Sequence, residues 1–283
     1  MGVSVLSSCR RSEGVPLQRD ALDDKDLLRD VEDEFCRVQC RTVAGEPAGR
    51  FTDVEGYWAG WRPVRVGLGF RGATGERSLP VRKVRSAALS RHIPVRARVS
   101  TIGGPLLLES GLEHELVTWL DHRRDVEWIV AQPVRLTWSD GISHCPDILA
   151  VNSYGQVQVW DARPAARQDD AFDLKAARTG AECERVGWSY STFAGLPAVA
   201  SSNLRWIAGA RRIPEWLEAA RPALMELFTA GPRPLRDVLA SDDGRGFRTR
   251  AFWHLVWTED LVMELDELWD EDTLVVARGG AEA

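Results

Sequence analysis

Between Glu109 and Arg163 the chain changes its hydrophobic period repeatedly, and few folds accommodate the resulting order of elements. E-S-G-L-E-H-E-L-V-T-W-L (Glu109–Leu120) places Leu112, Leu116, Trp119 and Leu120 at i, i+4, i+7 and i+8, the stripe of an amphipathic helix. V-E-W-I-V-A-Q-P-V-R-L-T-W (Val126–Trp138) predicts a strand, a proline step and a second strand. H-C-P-D-I-L-A-V (His144–Val151) predicts an apolar strand with an acid at its mouth. After a Tyr154-Gly155 turn, Q-V-Q-V-W-D-A-R-P (Gln156–Pro164) sets Val157, Val159 and Asp161 on one face. A helix over Ala171–Val186 and a strand over Trp188–Phe193 follow, so the expected class is α+β.

The chemistry gathers at the ends of these strands. A tight turn between the two later strands brings Asp147 and Asp161, fourteen residues apart, to neighbouring strand ends. Asp161 and Arg163 are two apart and share a face, and Glu113 from the preceding helix closes the group. Three carboxylates and a cation describe a site for a hard divalent ion, Mg²⁺ or Mn²⁺. Such an ion activates water and offsets charge on a phosphate.

Each residue also has a plainer reading. Ser110-x-x-Glu113 is a capping-box signature, and Glu109 and Glu115 are rival acids on the same helix. Asp147 follows Pro146, where an Asp can end a turn. Asp161 can form a buried ion pair with Arg163 or Arg135. Gln132 either orients a strand end or reaches a phosphate, and His144 is a supporting donor, a DNA contact or simply accommodated. No Ser or Cys stands in a nucleophile elbow with a His partner.

Taken in order, Glu109-Ser110-Gly111-Leu112-Glu113, the V-x-x-I-x-x-Q-P run of Val126–Pro133, His144-Cys145-Pro146-Asp147 and Asp161-Ala162-Arg163 resemble the PD-(D/E)xK nuclease superfamily. More narrowly they resemble the TnsA-like endonuclease subunit of heteromeric transposases. The resemblance covers roughly residues 103–212 and, in outline, the C-terminal seventy or so. It implies a restriction-endonuclease-like nuclease core, a mixed sheet flanked by helices, that cuts one DNA strand at each transposon end. Glu113, Asp147 and Asp161 would hold the metal, with Arg163 on the phosphate. It further implies a TnsB-like transposase that cuts and joins the other strand, and a TnsC-like AAA+ ATPase as a second partner. The family's basic residue is usually Lys. Arg163 keeps the charge but cannot act as a base, which leaves open a catalytically silent DNA-binding or scaffolding subunit. A stand-alone defence or repair nuclease of the same superfamily is the other alternative.

The rest of the chain divides by charge and period. Residues 1–50 carry an acidic run (Asp20, Asp23, Asp24, Asp26, Asp30, Glu32, Asp33, Glu34) with Leu27, Leu28, Val31 and Phe35 as a helical stripe. This predicts a partly helical, solvated leader. Cys36 and Cys40 fall four apart on a predicted helix without the second ligand pair that zinc requires. Residues 51–102 predict a basic strand-and-loop segment. From Arg62 to Arg98 ten cations are interrupted by one acid, Glu76. Lys83, Arg85, Arg96 and Arg98 are candidate DNA contacts, or else neutralise the acidic leader. The net charge of −6 excludes a general nucleic-acid coat but not a local basic surface.

Asn203–Ile207 reads as strand-like, and Glu215–Phe228 as a helix kinked or split by Pro222. Helices around Leu235–Leu239 and Ala251–Val256 follow, then strands at Val262–Leu265 and Thr273–Val276 around an acidic loop, so residues 213–283 have winged-helix order. That loop (Glu264, Asp266, Glu267, Asp270, Glu271, Asp272) repels phosphate and suits a protein-facing surface. No run approaches a membrane span and Met1–Arg19 has no apolar signal core, so no membrane partner and a cytoplasmic location are expected.

Overall fold

The computed structural model of the protein describes residues 37–43, 51–57, 77–79 and 94–278. The acidic run Asp20–Glu34 with its expected helix, Cys36, Lys83 and Arg85 lie outside them. The chain is mixed α+β, and it separates into two compact units. The first comprises the described residues up to Arg96, Leu106–Glu113 and Asp125–Ala194. The second comprises Ala97–Pro105, His114–Arg124 and the residues from Gly195 onward.

The first described strands are β1 (Arg37–Val43), β2 (Phe51–Tyr57) and β3 (Arg77–Leu79). Cys40 therefore lies in a strand, and not on the expected helix. R-V-Q-C-R-T-V is rich in β-branched residues, and β1 pairs antiparallel with both β2 and β3. Strands β4 (Val95–Val99) and β5 (Gly104–Leu108) pair with each other ahead of helix α1 (Gly111–His122).

The next two strands, β6 (Val126–Ala131) and β7 (Val134–Thr137), enter different sheets. The expected single strand over His144–Val151 is likewise two: β8 (Ser143–His144) pairs with β7, and β9 (Ile148–Asn152) pairs with β6. Pro146, buried between them, has no N–H to give a ladder and marks the crossing. The two crossings touch, because the Gln132 amide donates to the Asp147 carbonyl at 2.7 Å.

Strand β10 (Val157–Ala162) turns back antiparallel on β9. Helix α2 (Asp170–Arg185) then carries the chain to β11 (Ser189–Phe193), which lies parallel to β10. A parallel neighbour needs such a crossover. One sheet thus has the mixed order β11-β10-β9-β6, and the other the order β2-β1-β7-β8, with β3 on β1. Val130, Val134, Leu136, Leu149, Val151, Val157, Val159 and Trp188 form the first unit's core. Each such buried side chain contributes about 1.5–3 kcal/mol.

The second unit holds α3 (Ala198–Ile207), α4 (Leu217–Glu226), β12 (Arg233–Pro234), α5 (Leu235–Ala240), α6 (Phe247–Trp257), β13 (Leu261–Val262) and β14 (Leu274–Ala277). Asn203–Ile207, expected as strand-like, is the end of a helix. Ala200, Leu204 and Ile207 fall at i, i+4 and i+7 and are all buried, a helical period too long for N-L-R-W-I alone to carry. Helix α4 runs unbroken through Pro222. The small strands order as β12-β14-β13, both pairings antiparallel. Among the described residues no helix is long and apolar enough to cross a membrane.

Candidate functional site

The alternation that buries Val157 and Val159 on β10 also buries Asp161, which is only 2% exposed. A carboxylate placed there needs donors. Asp161 Oδ2 accepts from the Tyr190 hydroxyl at 2.5 Å and lies 2.7 Å from His144 Nε2. His144 arrives from β8. Tyr190 arrives from β11, where the parallel register sets it beside Val159 and on the face that also carries Asp161. The alternative ion pair of Asp161 with Arg163 or Arg135 is not formed.

Asp147 stands one residue before β9. Its amide extends the hairpin ladder to the Trp160 carbonyl at 3.0 Å and also donates to Asp161 Oδ1 at 3.3 Å. Its own Oδ2 accepts from the Ala162 amide at 2.9 Å. The two acids are therefore locked side by side. Burial first, and then the negative charges of Asp161, Glu113 and Glu109, push the Asp147 carboxyl well above the usual range. The Ala162 hydrogen bond opposes this only in part. Burial, followed by the charge of Asp161 and the hydrogen bond to it, also raises the Tyr190 phenol, which keeps it a donor.

Glu113, 4% exposed, caps the start of α1: its carboxylate accepts from the Glu109 amide at 2.8 Å and from Ser110 Oγ at 2.9 Å. Ser110 Oγ in turn accepts from the Glu113 amide at 3.1 Å. The capping reading of Ser110-x-x-Glu113 is thus realised, in the same place where Glu113 faces the other acids.

Glu109, Glu113, Asp147 and Asp161 line one cleft of about 520 Å³, together with His144, Cys145 and the cations Arg135, Arg163, Arg167 and Lys175. Arg163 reaches it at the end of β10, where its amide donates to the Phe193 carbonyl at 2.9 Å. Its guanidinium is anchored: Nε donates to the Arg167 carbonyl at 2.7 Å, Nη2 is 3.8 Å from Asp169, and Cζ lies 5.4 Å over the Phe172 ring.

Of the residues expected in the site, Glu113, His144, Asp147, Asp161 and Arg163 meet in this cleft. Gln132 does not line it. That residue is wholly buried at a left-handed φ of 46° ahead of Pro133, and its side-chain amide has no hydrogen-bond partner. Arg96 and Arg98 face solvent on β4, alternating with buried Ala97 and Val99. Sequence reasoning missed Tyr190, Arg167 and Lys175. The clue to Tyr190 was its period-2 place in S-Y-S-T-F, which required knowing that β11 lies beside β10. Among the described residues no three His, Cys, Asp or Glu side chains stand in a ready metal-ligand arrangement. No protein-family model and no curated protein matches this chain.

Proposed function

We propose that the chain is the metal-dependent DNA endonuclease subunit of a heteromeric transposase, cutting one strand at each transposon end. The carrying observation is the paired carboxylates: Asp147 and Asp161 are fixed by a two-strand ladder, share a cleft with Glu113, and have four cations around them. That is a negative centre in a positive rim, which suits a phosphodiester beside a divalent ion. Order and charge support the finer reading too. In the first unit a mixed sheet carries the acids and a helix supplies Glu113, as the resemblance to PD-(D/E)xK nucleases implies. In the second, helix, short strand, two helices and a two-stranded hairpin follow in winged-helix order. Its acidic loop, Glu264–Asp272, suits a protein partner such as a TnsC-like ATPase better than DNA.

The donor set fits Mg²⁺ or Mn²⁺ by its chemistry, since the charges that destabilise ionised Asp147 are those a divalent cation offsets. Glu113, Asp147 and Asp161 would hold the ion, which when bound supplies an activated water and neutralises phosphate charge. Asp161 is already oriented by His144 and Tyr190, and Asp147 by the Ala162 amide. Glu113 must exchange the Ser110 hydroxyl and the Glu109 amide for the ion. Arg163, held by Arg167 and stacked on Phe172, keeps a permanent positive charge at the rim.

A silent scaffolding subunit has one observation in its favour. Asp161 Oδ2 and both Glu113 oxygens already have protein partners. Thermal melts with and without Mg²⁺ separate the readings. On the nuclease reading the ion raises the melting temperature of wild type and not of Asp147→Asn, because only a native state that binds the ion is stabilised. Equal responses of the two proteins would leave the scaffold.

A further inference from the structure

We infer that Lys175, on α2, supplies the ammonium that contacts the scissile phosphate, while Arg163, tethered through Nε and stacked on Phe172, frames the cleft wall; this rests on the nuclease reading. The chain has three lysines, Lys25, Lys83 and Lys175, among 36 basic residues. Lys175 is the one lysine among the described residues, and it lines the cleft that holds Glu113, Asp147 and Asp161.

Helix α2 sets Lys175 there. The Asp169 side chain caps it by accepting from the Phe172 amide at 2.8 Å. Phe172 and Lys175 are i and i+3, so they share a helix face, and both line the cleft. Phe172 carries the Arg163 guanidinium on its ring, which leaves the next position along that face for a second cation. Among the described residues Lys175 has no ion-pair partner.

The two cations differ in what they can do. Arg163 has spent Nε on the Arg167 carbonyl and is turned toward Asp169. A planar guanidinium anchored in that way holds a fixed place and never releases its proton. A lysine on a four-carbon stem is a compact charge that follows a phosphate oxygen as the reacting centre changes shape. The strand position two beyond Asp161 thus frames the cleft wall, and the helix supplies the contact.

Three forms of the full-length protein test this: wild type, Lys175→Met and Lys175→Arg. The measurements are single-turnover cleavage of end-containing DNA in Mg²⁺, affinity for the same DNA in Ca²⁺, and thermal melting. The expected result is a loss of about a hundredfold in the cleavage rate of Lys175→Met. Affinity should move by no more than about threefold and melting should be unchanged, since the contact acts in the transition state. Lys175→Arg, which restores a charge but not a compact one, should recover only part of the rate. If wild type cuts and Lys175→Met cuts equally well, the inference falls and the nuclease reading stands. If rate and affinity fall in the same proportion, Lys175 is an ordinary backbone contact and the inference also falls. If wild type does not cut even with its transposase and ATPase partners, both fall together.

Discussion

Asp147 and Asp161 occupy neighbouring strands in opposite electrostatic situations. Asp161 has two side-chain donors, His144 and Tyr190, whereas Asp147, partly buried at the cleft wall, has three other acids around it. Their substitutions should therefore differ in sign. Asp147→Asn keeps the shape and the acceptor for the Ala162 amide but removes the charge, so it should stabilise the metal-free protein at neutral pH. Each kcal/mol relieved raises the melting temperature by about 2–4 °C at this size. The gain has a pH signature. A carboxyl whose folded pKa is raised binds its proton more tightly in the native state, so wild-type stability falls as pH rises from the ordinary carboxylate range through that pKa. In EDTA, wild type and Asp147→Asn should melt together near pH 4 and separate as pH increases. A constant difference across that range would show that Asp147 carries no buried charge. Asp161→Ala should destabilise, because it strands two donors at roughly 1–3 kcal/mol each; denaturant melts read this directly.

At the scale of elements, the first turn of α1 carries two functions that separate substitutions can divide. Ser110→Ala and Glu113→Ala each remove part of the cap and should cost about 1 kcal/mol. Only Glu113→Ala should also abolish the Mg²⁺-induced rise in melting temperature. Retention of that rise in both variants would make Glu113 a cap alone.

The β9–β10 hairpin was legible in advance because its parts are local. Strand period placed Asp161 with Val157 and Val159, and a Gly155 turn between two short strands placed Asp147 opposite it. The sheet crossings at Gln132-Pro133 and Cys145–Asp147 were not legible, since continuous apolar runs do not say which sheet a strand joins. The sequence offers His144 without its partner, and does not offer Tyr190 at all, for the same reason. They lie 17 and 29 residues from Asp161, and only the pairing of β8 with β7 and of β11 with β10 brings them to it. The period of helix α3 is hidden in Asn203–Ile207 because the first residue of its stripe, Ala200, precedes that segment.

At the scale of the molecule, the nuclease reading requires a chain of net charge −6 to meet DNA through locally basic segments. Besides the cleft cations, Lys83, Arg85, Arg96 and Arg98 are the candidate DNA contacts on that reading. Neutralising these four together should weaken DNA binding and flatten the dependence of log K on log salt by about 0.9 for each lost phosphate contact. An unchanged slope would assign the basic segment to the acidic leader instead. The central claim is that the Asp147–Asp161 pair cuts DNA with a divalent ion. Strand-resolved cleavage of end-containing DNA tests it most directly, comparing wild type with Asp147→Asn, with transposase and ATPase partners present, in Mg²⁺ and in EDTA. The account predicts that wild type cuts one strand at each end in Mg²⁺ only and that Asp147→Asn, although folded, does not cut. Absence of cutting by wild type, or cutting by Asp147→Asn at the wild-type rate, would contradict it.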